Sequence, residues 1–203
     1  VMMEHLFSQG QDAEHTLILF HGTGGNEESL IPIAQTIAPQ ANYLAIRGEI
    51  NEQGYLRFFR RYDDGSYDLE NLDQQGRKIN DFLNWASDHY HFDLTQAIFV
   101  GFSNGSNIAS HLLFQLGSPV KRAILMAPLY PLDFNPELDL SSKEIFLSMG
   151  KQDPLCSMEQ NQALLAKLEQ AQAHVQYTWV NSHEVTLNSL SEIKQWLVNL
   201  GIA

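Results

Sequence analysis

Residues 97–109 read Ala97-Ile98-Phe99-Val100-Gly101-Phe102-Ser103-Asn104-Gly105-Ser106-Asn107-Ile108-Ala109, and they join an apolar run to a helix-like one. Ala97 to Val100 has the continuous apolar character of a strand covered on both faces. Ile108, Ala109, Leu112, Leu113 and Leu116 then recur at helical spacing. Between the two stands Gly-x-Ser-x-Gly, in the strand-turn-helix setting that a nucleophile elbow requires. So tight a turn leaves little room for a Cβ two residues before or after the serine, and Gly101 and Gly105 fill those places. Ser103 itself is forced into a strained backbone conformation that lifts its hydroxyl clear of the sheet. The competing reading is a serine in an ordinary glycine-rich loop; the flanking strand and helix favour the elbow.

Upstream, the apolar run at residues 16–20 ends in His21-Gly22-Thr23-Gly24-Gly25. A His-Gly loop after an early strand can supply one backbone N–H to an oxyanion hole, and the residue after the nucleophile supplies another. Those donors are Thr23 and Asn104. Acyl attack builds negative charge on a carbonyl oxygen, and fixed N–H dipoles stabilise it without reorganising; one such donor is worth on the order of 10²–10³ in rate. Glycines also let backbone approach phosphate, but neither Gly-x-x-x-x-Gly-Lys-[Ser/Thr] nor Gly-x-Gly-x-x-Gly follows the first strand.

Downstream, the order nucleophile, acid, base is that of an α/β-hydrolase. The best acid is Asp153, in Gly150-Lys151-Gln152-Asp153-Pro154 after the apolar run at 145–149; the best base is His183, after the strand-like run at 175–180. Both fall on loops at the carboxyl ends of strands, where the reactive groups of open α/β sheets gather. A serine hydroxyl is a weak nucleophile until a neighbouring base takes its proton. His183 would do so, and Asp153 would hold the imidazole in the correct tautomer. Loss of kcat/KM as pH falls through about 6–7 is then expected, where an imidazole takes up its proton. Asp153 before Pro154 could instead only start a turn. The other histidines are worse placed. His174 precedes the last strand, His111 is on the elbow helix, and His5 and His15 lie near the start. His89 and His91, beside Asp88 and Asp93, read as a solvated helix end, so no metal site is expected. Asp133, Glu137 and Asp139 follow the wrong strand.

Apolar strands expected at about 4–8, 16–20, 43–46, 97–100, 123–126, 145–149 and 175–180 alternate with amphipathic helices at about 27–37, 69–90 and 158–171, plus the elbow helix and a closing helix carrying Leu190, Ile193, Trp196 and Leu197. That alternation predicts an α/β fold with a mostly parallel sheet covered on both faces, in one domain over residues 1–203. There is no room for a large lid. Residues 48–67 read as irregular, and this segment and residues 127–134 are expected to line an open pocket, with Phe58, Phe59 and Leu129 contacting substrate. The net charge is −12, from 24 acidic and 12 basic residues. It argues against nucleic acid or an anionic membrane as partner. Strongly anionic substrates are also disfavoured unless a local basic patch overrides the mean. Arg57, Arg60 and Arg61 form such a patch, although Asp63 and Asp64 follow and could pair with it. Cys156 is the single cysteine, so no internal disulfide forms, and it reads as a buried spectator. No charged-then-apolar leader or long apolar run is evident, so the cytoplasm is the expected compartment.

Taken together, His21-Gly22-Thr23-Gly24-Gly25-Asn26-Glu27-Glu28, Arg47-Gly48, Arg57-Phe58-Phe59-Arg60-Arg61, Gly101-Phe102-Ser103-Asn104-Gly105-Ser106-Asn107, Asp153-Pro154 and His183 resemble the phospholipase/carboxylesterase family of small α/β-hydrolases, which includes the acyl-protein thioesterases. Within it they look most like the compact bacterial carboxylesterases sometimes encoded with hydroquinone dioxygenases. The resemblance runs over almost the whole chain. It implies Ser103, Asp153 and His183 as triad and Thr23 and Asn104 as oxyanion donors. The expected chemistry uses no metal or cofactor. One departure is Ser182, where the family usually has glycine before the histidine; the extra side chain is expected to shift that loop or narrow the pocket. The expected activity is hydrolysis of small carboxylic esters through an acyl-enzyme. Thioester or lysophospholipid hydrolysis is the near alternative, and a non-catalytic binding protein of the same fold the distant one. The sequence is silent on oligomeric state and leaves a homodimer open.

Overall fold

The computed structural model describes residues 2–202; Val1 and Ala203, which belong to the expected domain span, lie outside the described residues. The main sheet starts at one edge with β1 (His5–Ser8), antiparallel to β3 (Ala41–Ile46), and continues through β2 (Asp12–Phe20), β6 (Ile98–Phe102), β7 (Arg122–Met126), β8 (Glu144–Gly150) and β9 (His174–Val180). All strands from β3 to β9 in that order run parallel. Parallel neighbours need crossovers, and the helices supply them, covering both faces. Helices α2 (Leu69–Tyr90), α3 (Asn104–Phe114) and α4 (Met158–Gln170) pack on one face, while α1 (Ile31–Ile37) and α5 (Leu187–Asn199) pack on the other.

β6 shows why the central strands read as unbroken apolar runs. Phe99 enters the layer under α2 and α3, with Phe20, Phe82, Ile108 and Leu112; Ile98 and Val100 enter the layer under α1 and α5, with Ile37, Ile193 and Leu197. Side chains alternate across the pleat, and each finds a covered face. Each such side chain contributes about 1.5–3 kcal/mol on burial. The register Phe20↔Gly101 and Phe102↔Met126 brings the carboxyl ends of β2, β6 and β7 level.

Two expected elements differ. α1 starts at Ile31, not near residue 27. Asn26 Oδ1 accepts the Glu28 N–H and Ser29 Oγ accepts the Asn26 N–H, so short polar side chains hold residues 26–29 in a turn. Pro32 then sits in the first helical turn, where it needs no N–H. The segment expected to be irregular contains a hairpin, β4 (Ile50–Glu52) paired antiparallel with β5 (Tyr55–Arg57). Gln53 and Gly54 close it with φ of 54° and 93°, the positive pair that a two-residue hairpin turn demands. Among the described residues no helix is long and apolar enough to cross a membrane.

Candidate active site

Ser103 occupies the turn from β6 into α3 with φ 53° and ψ −119°, a region that costs a non-glycine residue about 1–3 kcal/mol. The surroundings hold it there. Its N–H donates to the Met126 carbonyl on β7 at 2.9 Å, and its own carbonyl accepts from Asn107 N–H at 3.0 Å and from the Ser106 hydroxyl at 2.6 Å. A Cβ at Gly101 would stand 2.7 Å from Ser106 Cα, and one at Gly105 would stand 2.0 Å from the Phe20 carbonyl oxygen. Gly101 is therefore a steric necessity of the tight turn itself, and Gly105 of bringing the elbow against β2.

The imidazole of His183, on the loop after β9, bridges two side chains. Its Nε2 lies 2.9 Å from Ser103 Oγ and its Nδ1 lies 2.7 Å from Asp153 Oδ2. Asp153, on the loop after β8, is sealed from solvent except through the histidine, with a side chain 1% exposed. Its second oxygen, Oδ1, accepts the Leu155 N–H at 2.7 Å. With both carboxylate oxygens engaged, Nδ1 of His183 is the proton-bearing nitrogen and Nε2 faces the serine as acceptor. Ser182 keeps a negative φ and its N–H donates to Glu184 Oε2 at 2.8 Å. Glycine's conformational freedom is not needed there, and the ring keeps its contacts. The close approach in this loop falls instead on Gly150, where a Cβ would be 2.2 Å from the Ser182 carbonyl oxygen.

Across the serine, Asn104 is the first residue of α3, so its N–H has no intrahelical acceptor. The Thr23 N–H likewise makes no backbone hydrogen bond among the described residues. The loop carrying Thr23 is fastened by His21, whose ring Nδ1–H donates to the Gly22 carbonyl at 2.7 Å while Nε2 accepts the Gly48 N–H at 2.9 Å. Burial lowers the His21 pKa, and a second ring proton would point at the Gly48 N–H. Thr23, Ser103, Asn104, Leu129 and His183 all line one cavity of about 470 Å³, with Tyr67, Asn107, Leu155 and Cys156 completing much of its wall.

A model of the family described as phospholipase/carboxylesterase matches residues 3–200. The chain belongs to the phospholipase/carboxylesterase family. The Bacillus subtilis protein MhqD, by name a hydrolase, is 34% identical over 195 residues, covering 96% of this chain and 97% of that one. The crystal structure of the Bacillus cereus carboxylesterase superposes with a TM-score of 0.93 at 38% identity, covering 98% of this chain and 94% of that chain. The structure of YahD with malic acid gives a TM-score of 0.92 at 28% identity, with 98% and 99% covered. The fold is the α/β-hydrolase fold, and the chain is a serine hydrolase of the carboxylic ester class.

For this phospholipase/carboxylesterase family member, two expected pocket residues are misplaced. Phe58 and Phe59 are buried, 1% and 0% exposed, and face the core rather than the cavity. Phe58 packs edge-on to Phe20 and Phe59 edge-on to Tyr67. Their contribution is indirect, since the Phe58 N–H donates to Asn104 Oδ1 at 2.7 Å and so fastens the elbow to the hairpin. Leu129 does line the cavity. Its N–H donates to Asn107 Oδ1 at 2.7 Å, and its carbonyl accepts from the Tyr67 hydroxyl. Tyr67 was legible only as an aromatic in a loop. Arg57, read as part of a local basic patch that Asp63 and Asp64 could pair with, is 3% exposed and lies in the cavity wall. The acid near it is Glu52 rather than Asp63 or Asp64, whose Oδ1 in Asp64 accepts from Ser66. Cys156 is buried beside the site, its thiol donating to Asn161 Oδ1 at 3.1 Å, and burial pushes its pKa up to about 11. It is a thiol, not a thiolate, at neutral pH. His89 stacks on Trp85 at 4.6 Å, and His91 caps α2 through its backbone, with φ 59° and its N–H donating to the Ser87 carbonyl.

Proposed function

We propose that the protein is a serine carboxylesterase acting on small esters through an acyl-enzyme on Ser103. The observation that carries this reading is the continuous relay from Asp153 Oδ2 through the His183 ring to Ser103 Oγ, with contacts of 2.7 and 2.9 Å. Ser103 Oγ attacks the ester carbonyl carbon as its proton passes to His183 Nε2. The carbonyl oxygen becomes an oxyanion, which the N–H groups of Thr23 and Asn104 receive. Asp153 keeps the ring oriented and stabilises its charged form. The intermediate collapses, the C–O bond to the alcohol breaks, and the departing oxygen takes the proton from Nε2. A water then gives its proton to Nε2 and attacks the acyl carbon. Collapse returns that proton to Ser103 Oγ and releases the acid. A cavity of about 470 Å³ suits a short acyl chain with a small alcohol.

Turnover of 4-nitrophenyl acetate by the wild-type protein and by Ser103→Ala tests the reading, together with covalent labelling by a fluorophosphonate. Loss of both in the variant, with an unchanged circular dichroism spectrum, is expected. Residual turnover in Ser103→Ala above about one part in 10³ of wild type would exclude an acyl-enzyme at this residue. Thioesters and lysophospholipids assayed beside the ester separate the leaving-group alternatives, since the machinery is common to all three.

A further inference from the structure

The chain carries twice as many acidic as basic residues, 24 against 12. The cavity over Ser103 inverts that balance. Two guanidinium groups, Arg57 and Arg61, are in its lining, and no Asp or Glu is. Arg57 is 3% exposed and held from several sides. Its Nε donates to the Phe59 carbonyl at 2.9 Å, its Nη1 donates to Thr23 Oγ1 at 2.9 Å, and the Phe59 ring backs it at 5.8 Å. Among the described residues, Nη2 has no hydrogen-bond acceptor from the chain. Glu52 sits behind, with Oε1 3.3 Å from Arg57 Nε and Oε2 3.8 Å from Arg61 Nε. One carboxylate thus faces two cations, and the triplet keeps a net charge of about +1. Burial and the neighbouring Arg61 both lower the pKa of Arg57, but a guanidinium starts so high that it stays charged.

A rigid fork, buried except at a free donor, in a wall without acids, matches a planar carboxylate that accepts two parallel N–H bonds. Its hydrogen bond to Thr23 ties it to the loop whose N–H faces the reacting carbonyl. We propose that Arg57, with Arg61 as the outer cation, is a carboxylate subsite, and that the preferred substrates are small esters bearing a second, ionised carboxylate. The proposal deepens the esterase reading and rests on Ser103 as nucleophile. Arg57 is here a specificity-determining residue. A purely structural role, bracing Thr23, would slow charged and neutral esters alike.

The test compares kcat/KM, by pH-stat at low salt, for monoethyl succinate against ethyl succinamate, and for O-acetylglycolate against O-acetylglycolamide. Each pair differs by a carboxylate against its uncharged isostere, on the acyl side in one and the alcohol side in the other. At least one pair is expected to favour the anion by about tenfold or more, chiefly through KM, and less so at 0.5 M salt. In Arg57→Met the preference should vanish, in Arg57→Lys it should fall severalfold, and in Arg61→Gln it should weaken. Because Arg57 is buried, its variants could fail to fold. The wild-type protein then decides through competitive inhibition by succinate against succinamide, the dianion being expected to bind at least tenfold tighter. Ser103-dependent hydrolysis of the neutral esters with no preference for either anion, or equal inhibition by succinate and succinamide, overturns the subsite and leaves the esterase reading intact. Absence of fluorophosphonate labelling at Ser103 overturns the esterase reading, and with it the subsite.

Discussion

Ser103, the proposed nucleophile, carries the strain of the elbow. Its φ of 53° is imposed by the bonds to Met126, Ser106 and Asn107. A glycine at this position would relax the strain, whereas an alanine would keep it. Ser103→Gly is therefore expected to be more stable than Ser103→Ala by about 1 kcal/mol in urea denaturation, even after glycine's larger loss of chain entropy. Both variants should be inactive. Asp153→Asn changes one oxygen to an amide nitrogen and no longer favours the Nδ1–H tautomer of His183. A fall of about 10³–10⁴ in kcat with little change in Tm is expected, measured on 4-nitrophenyl acetate. Ser103 was legible because the elbow imposes glycines at fixed offsets. That Asp153 and His183 would reach the rim beside Ser103 was legible because each follows an apolar strand in the right order. Arg57 was not, since a run of Arg57, Arg60 and Arg61 looks the same whether its first member points into a cavity or into water.

The loops after β2 and β3 are fastened to one another by His21, and α3 is fastened to α2 and to the loop after β7 through the side chain of His111. His111 Nδ1 meets the Tyr130 hydroxyl at 3.0 Å and Nε2 meets Asp73 Oδ1 at 3.1 Å. Burial lowers the pKa of both histidines, in His111 against the opposing pull of Asp73. The unfolded chain therefore takes up these protons at higher pH than the native one. Stability is intact above the ordinary histidine value, about 6.5, and declines as pH falls below it until the native rings also protonate. Each ring contributes a slope of at most about 1.4 kcal/mol per pH unit. His111→Gln should flatten the dependence of unfolding free energy between pH 7 and 5. Glu27, beside Arg47 at 2.7 Å, and Asp73 have lowered pKa values despite partial burial, and their contribution is lost only below about pH 4.5. The hairpin of β4 and β5 escaped the reading of residues 48–67 because each strand is three residues long, too short for a two-residue period to register. Its turn residues, Gln53-Gly54, were the available signal.

The whole sheet acts as the frame that holds six loops at one rim. Its rigidity comes from the two apolar layers, and Phe99 illustrates the dependence, being 0% exposed and packed edge-on to Phe20 at 5.2 Å. Phe99→Ala is expected to lose about 3–5 kcal/mol, read from denaturant midpoints, with activity per folded molecule retained if the cavity collapses locally. Which strands are buried, that they are parallel, and that a serine, an aspartate and a histidine follow three of them could all be read from the order of residues along the chain. Those features are local or sequential: apolar runs, turn glycines and the succession of loop residues. The turn of Arg57 into the cavity wall, the loss of Phe58 and Phe59 to the core, and the 2.9 Å contact between residues 80 apart are not. They depend on the register of β2 against β6 and on where the hairpin docks over it. Such relations exist only once distant segments share one packed interior, because no local preference distinguishes an arginine that will face solvent from one that will line an enzyme's cavity.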